Sequence, residues 1–142
     1  MSDDRLRESI DSWFARYDEL SRKGDVEGMA NMAMFPVHVV TDDSDGNGRA
    51  ESWTRDQFVD IMTEAMKGMP ENMRMEAVRT PFLLTDNLAV VITDATVTAG
   101  GEEQTLRYAD ILAKAGGDWK FQTMAQGGWG DMLKARNAQG SA

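Results

Sequence analysis

The sequence predicts an α+β domain: three helices in the N-terminal half packed on a strongly curved antiparallel sheet, the two closing into a cone whose mouth is a pocket. Three observations predict it. Three strand-like runs, residues 88–98, 104–114 and 118–126, are separated by Gly100-Gly101 and Gly116-Gly117. A Gly-Gly pair between alternating apolar runs signals a tight hairpin, because primed turns need φ > 0 at no steric cost. Residues 3–22 carry Leu6, Ile10, Trp13, Phe14, Tyr17 and Leu20 along one helical stripe. The order helix, helix, short strands, helix, then a run of strands segregates the helices to one face of the sheet.

Along the chain, Asp3 and Asp4 favour the start of the first helix and Arg22 and Lys23 its end, through the macrodipole; Gly24 stops it. Asp25 is the N-cap of a short second helix over 26–34, weakened by Gly28 and ended by Pro36. Residues 37–41 read as a strand, with His38 on the face opposite Val37 and Val39. A polar turn over 42–48 leads to a short return strand, 49–53. Thr54 and Gln57 have capping-box spacing, and Trp53 and Phe58 have hydrophobic-staple spacing. The third helix then buries Phe58, Ile61, Met62, Ala65, Met66 and Met69 until Gly68 and Pro70 stop it. Residues 73–85 form an extended run that Pro81 confines to an edge or a bend. Beyond the three-strand unit, Gly127-Gly128-Trp129-Gly130 breaks the pattern, and Trp129 is expected to fold back over one end. Residues 1–133 are read as a single domain, and 134–142, small and polar, as a flexible tail.

Two-residue turns set the register, so the faces of the three-strand unit can be assigned. One face carries Val91, Thr93, Ala95 and Val97, then Leu106, Tyr108, Asp110 and Leu112, then Trp119, Phe121, Thr123 and Ala125. The other carries Val90, Ile92 and Asp94, then Arg107, Ala109 and Ile111, then Lys120, Gln122 and Met124. Asp94 faces Arg107 there, a favourable cross-strand pair. The pocket is expected to be lined by Trp13, Tyr108, Leu112, Phe121, Thr123, Phe58 and Met62, together with Tyr17 and Asp110.

Composition narrows the function. The chain has 142 residues, 42% hydrophobic and 27% charged, enough for one domain with a core. No apolar run approaches the roughly 18 residues of a membrane span. The charged, acidic start does not look like a secretory or transit signal. There is no cysteine, hence no disulfide framework and no thiolate metal site, which fits the cytoplasm. A net charge of −9 disfavours nucleic acid. The absence of a nucleotide signature argues against a cofactor, and none is expected. The eleven methionines are many; they fill core gaps or line an adaptable binding surface.

Several residues invite a chemical reading. Asp43-Ser44-Asp45-Gly46-Asn47-Gly48 matches the opening of a calcium loop, but position twelve is Thr54, where a bidentate Glu is needed, and a strand precedes it. It reads as a hairpin turn, and no metal is expected. His38, the single histidine, is a half-buried strand residue or a general base. Asp110, in Tyr-Ala-Asp-Ile-Leu, sits among apolar neighbours on the face of Tyr108. Desolvation there favours the protonated acid, which can donate a hydrogen bond; the alternative is a carboxylate bonded to a neighbour for structure. Tyr17, on the buried stripe of the first helix, serves core packing or offers its hydroxyl to the pocket.

The order of elements, the Tyr17…Gly24-Asp25 stretch and the Tyr-Ala-Asp-Ile-Leu strand resemble the nuclear transport factor 2-like superfamily, with its cone-shaped cystatin-like fold. The likeness runs over about residues 5–126. It implies a small-molecule pocket and a homodimer. Ketosteroid isomerases and polyketide cyclases belong to that superfamily. By resemblance to the isomerases, Tyr17 and Asp110 would be oxyanion donors and Asp42 the general base. A His/Asp arrangement in the cyclases keeps His38 as the other candidate base. The expected function is binding of an apolar small molecule, with a homodimer formed through the outer sheet face, where Val90, Ile92, Ile111 and Met124 are apolar. The alternative is an isomerase- or cyclase-like enzyme that abstracts a proton next to a ketone.

Overall fold

A computed structural model describes residues 3–68 and 72–140. The elements run α1 (Asp3–Lys23), α2 (Val26–Ala30), β1 (Ala33–Asp42), β2 (Gly48–Trp53), α3 (Arg55–Lys67), β3 (Arg74–Thr85), β4 (Leu88–Ala99), β5 (Glu102–Ala115), β6 (Asp118–Ala125) and α4 (Gly130–Gly140). The six strands form one open sheet in the order β2-β1-β6-β5-β4-β3. Neighbours are antiparallel except β1 and β6, which are parallel. That parallel pair departs from the all-antiparallel expectation. It arises because the chain leaves β1 through β2 and α3, crosses to the far edge at β3, and returns strand by strand to β1's free side.

Local chemistry explains most boundaries. Both Gly-Gly turns hold φ > 0 at each residue, from 58° to 88°, so β4–β5 and β5–β6 are tight hairpins. The Thr54 hydroxyl accepts from Gln57 N, and the Gln57 side chain accepts from Thr54 N, completing the capping box of α3. Phe58 packs against Trp53 with ring centroids 6.5 Å apart, as the staple spacing requires. β3 is an edge strand, the place in a sheet where Pro81 is tolerated. Helix α2 ends at Ala30, earlier than expected, and β1 begins at Ala33 and runs through Pro36 with an irregular register before His38. Met69 and Pro70 lie outside the described residues.

Two differences from the sequence reading matter for function. The register of β5 against β6 shifts between Ile111 and Leu112: Leu112 pairs Phe121, but Ile111 pairs Thr123 and Asp110 pairs Met124. The extra residue, Gln122, reverses the faces beyond Phe121. Met124 therefore turns inward and is buried, while Thr123 turns outward beside His38 of β1. The second difference is α4, where a flexible tail was expected. Its Leu133 is buried, and Lys134 bonds both Asp43 (2.7 Å) and Asp45 (3.2 Å). Only glycine fits at Gly130, since a Cβ there would stand 2.4 Å from the Asp42 carbonyl oxygen.

Candidate functional site

Between the helices and the concave face of the sheet lies a cavity of about 340 Å³, within the range of small-molecule sites. Helix α1 presents Phe14, Tyr17 and Ser21, spaced three and four apart and so on one face. Helix α3 contributes Ile61, Met62, Ala65 and Met66; the sheet contributes Arg79, Tyr108, Asp110, Phe121 and Met124 among others. Trp129 and Met132 bring the start of α4 to the same space, with Trp129 stacked on Trp53 at 6.3 Å. Seven of the eleven methionines line it: Met29, Met62, Met66, Met73, Met75, Met124 and Met132. Unbranched thioethers adapt to a ligand's outline at small cost.

The polar groups converge on one wall. Asp110, 5% exposed, has its carboxyl pushed up from its ordinary 3.8 to about 7 by burial, against a smaller opposing pull from Arg79. At neutral pH it is a mixture of acid and carboxylate. The Tyr17 hydroxyl is pushed well above its ordinary range by burial first, and then by the negative charge of Asp110. Tyr108 is raised too, chiefly by burial, while Arg79 pulls it down. Both phenols therefore remain protonated donors. Backing Tyr17 is an aromatic cluster, with Phe121 at 4.8 Å and Trp13 at 6.2 Å between ring centroids.

Arg79 has no counterpart in the sequence reading. On β3 it shares the inward parity of Ala77 and Leu83, all half-buried between exposed neighbours. Its Nη1 and Nη2 donate to Asp18 Oδ2 (2.7 Å) and Oδ1 (2.9 Å), and its guanidinium lies 4.2 Å over the Phe14 ring. Burial lowers the guanidinium's pKa, but the Asp18 bonds outweigh that and raise it. The signal available in sequence was an arginine at inward parity, with an acid on the helix that covers it.

The remaining predicted residues separate clearly. Tyr17, Tyr108, Asp110, Phe121 and Met62 line the cavity. Trp13, Leu112 and Phe58 do not; they are buried in the core behind it, Trp13 against Phe121 at 4.5 Å and Phe58 beneath the first turn of α3. Thr123 lies on the outer face because of the bulge. His38 is also outside, exposed, with Nδ1 2.8 Å from Ser52 Oγ. Asp42 accepts a hydrogen bond from Gly128 N at 2.7 Å, so its carboxylate braces the loop before α4 and does not reach the cavity. In the calcium-like loop, the Lys134 ammonium lies between Asp43 and Asp45, filling the role a cation would take. Among the described residues no group of three or more His, Cys, Asp or Glu could hold a metal. Among them too, no helix is long and apolar enough to cross a membrane.

An open curved sheet with helices on its concave side and a cavity between defines the fold of the nuclear transport factor 2-like, cystatin-like proteins. Solved structures bear out that architecture. A nuclear transport factor 2-like protein of unknown function from Pseudomonas putida KT2440 superposes with a TM-score of 0.71 at 16% identity, over 89% of this chain and 88% of that one. A domain of unknown function with a cystatin-like fold from Nostoc punctiforme PCC 73102 gives 0.68 at 12% identity, over 96% of this chain and 86% of that one. A ketosteroid isomerase-like protein from Erwinia carotovora atroseptica SCRI1043 gives 0.59 at 15% identity, over 89% and 97% respectively. No protein-family model matches the chain, and no curated protein matches its sequence.

Proposed function

We propose that the protein binds an apolar small molecule carrying an acceptor oxygen, which Tyr17 and protonated Asp110 hold by hydrogen bonds. The observation that carries this reading is the pairing of two donor-bearing, desolvated groups with a methionine-lined cavity. A hydrogen bond inside such a wall is stronger than in water. The test is a thermal-shift screen of steroids, polyketides and aromatic ketones, since a ligand of the native state raises its melting temperature. A hit should stabilise the wild type and lose about tenfold in affinity in Tyr17→Phe or Asp110→Leu, each of which removes a donor. A hit that stabilises wild type and both variants equally would put its site elsewhere.

The enzymatic alternative, proton abstraction next to a ketone, has one supporting feature. A carboxyl titrating near 7 can both take and return a proton, and a ketosteroid isomerase-like protein shares the fold. Against it, the two candidate bases are engaged elsewhere, Asp42 with Gly128 and His38 with Ser52. The binding reading therefore stands ahead.

We further propose a homodimer through the outer sheet face. Met124 leaves that face, but Val78, Phe82 and Leu84 of β3 are 68%, 53% and 63% exposed, with Ile111 of β5 at 37%. Apolar side chains in that number on one face mark an interface. Sedimentation should give twice the chain mass, and Phe82→Lys with Ile111→Lys should give the monomer. A wild-type monomer at high micromolar concentration contradicts the assignment.

A further inference from the structure

Arg79 carries a donor that the chain does not satisfy. Nη1 and Nη2 are committed to Asp18, yet Nε is buried and has no hydrogen-bond partner among the described residues. A buried N–H without an acceptor costs about 1–3 kcal/mol, so such groups call for an explanation. Its surroundings sharpen the point. Tyr108 and Tyr17 line the same wall as the guanidinium, whose charge acts on Tyr108. All of these groups offer protons. Asp18, the carboxylate that binds Arg79, is already used, and Asp110 in its protonated form adds a further donor. What the wall lacks is an acceptor with more than one lone pair and no proton of its own.

We infer that the ligand is an organic acid, an apolar molecule whose carboxylate accepts from the Arg79 Nε–H and the Tyr108 hydroxyl while its hydrocarbon fills the methionine-lined space. This rests on the reading of the cavity as a ligand site. Two carboxylate oxygens match two separate donors, and a charge-assisted bond is about twice as strong as a neutral one. Asp110 must then be uncharged, or two carboxylates would share the wall. The charged and titratable groups facing Asp110 are Arg79 from β3, Tyr17 from α1 and Tyr108 along β5, with Asp18 behind Arg79. The cavity-lining side chains of α3, β6 and α4 are uncharged. Among the described residues no other cavity-lining side chain supplies a compensating cation, so acid binding requires the protonated Asp110 and weakens as pH rises through about 7.

The test uses a matched pair of probes, 1-naphthaleneacetate and 1-naphthaleneacetamide, alike in shape and different in charge, titrated calorimetrically into the full chain at pH 6. Wild type should bind the acid about tenfold tighter than the amide. Arg79→Gln should remove that preference. Asp18→Asn, which keeps Arg79 and removes its competing carboxylate, should tighten the acid by about a further tenfold and leave the amide unchanged. An amide bound as tightly as the acid by wild type, or an acid indifferent to both substitutions, overturns the organic-acid assignment and leaves a site for neutral ligands standing. Failure of wild type to bind either probe counts against the acid, while a neutral hit from the thermal-shift screen would still sustain the cavity as a site.

Discussion

Phe121→Ala should destabilise the protein by about 3–5 kcal/mol, the usual cost of emptying a buried aromatic site. Phe121 is 3% exposed and stands where helix and sheet meet. Its ring lies edge-on to Trp13 at 4.5 Å, Tyr17 at 4.8 Å and Phe14 at 6.0 Å. Each such pair adds roughly 0.5–1.5 kcal/mol beyond the area it buries, and the three share one partner, so they do not simply add. Truncation opens a void that Trp13 and Phe14 cannot fill without leaving α1's packing on β6. It also removes the backing of Tyr17, so ligand affinity should fall even where the variant stays folded. Urea unfolding measures the first effect, with Phe82→Ala on the outer face as the comparison. Phe82 is 53% exposed, and its loss should change stability by no more than about 0.5 kcal/mol in the isolated chain. Equal costs for the two substitutions would mean that the helix–sheet core is not centred on Phe121.

How much of this was legible in the sequence depended on whether the deciding signal was local. The hairpin turns, the capping box and the stripe of α1 are written within a few residues of where they act, and they carried the architecture. Tyr17 and Asp110 could be picked out because each lies on a regular period, helical or two-residue, counted from a clear boundary. Thr123 was misassigned where that count failed. The bulge falls at Gln122, with no glycine or proline to announce it, and is set by β6 having to pair with β5 on one side and β1 on the other. Arg79 was missed because the outward residues of β3, Val78, Phe82 and Leu84, are the apolar ones, which hides the inward face. Helix α4 is only weakly amphipathic and is held by distant partners. Lys134 reaches Asp43 and Asp45, and Asp131 accepts from Ser44 N at 3.2 Å, across more than eighty residues of chain. Asp42 likewise looked like a free carboxylate at a strand end because its partner, Gly128, is equally remote.

Asp110→Asn should make the protein more stable at pH 8 and much less so at pH 4.5. The sign follows from where the proton sits. Folded, Asp110 titrates near 7; unfolded, it returns to its ordinary 3.8. Below about 3.8 both states hold the proton. Between 3.8 and 7 the folded state keeps a proton that the unfolded state has released, so stability falls as pH rises through that window. Above 7 both are ionised, and the native chain carries a desolvated carboxylate at a cost on the order of 4 kcal/mol. Asparagine keeps the shape and hydrogen-bonding capacity of the protonated acid without the charge. The difference between variant and wild type should therefore widen from about 1 kcal/mol at pH 4.5 toward that value at pH 8. Urea midpoints at pH 4.5, 6 and 8 measure it, and the other acidic groups cancel because they are common to both chains. A flat difference, or a wild type that is the more stable at pH 8, would mean that Asp110 is solvated or paired, and the donor wall with Tyr17 would lose its acid. The opposite result has a functional meaning. A residue that weakens the fold near neutral pH, where asparagine would not, is maintained for what its proton does in the cavity.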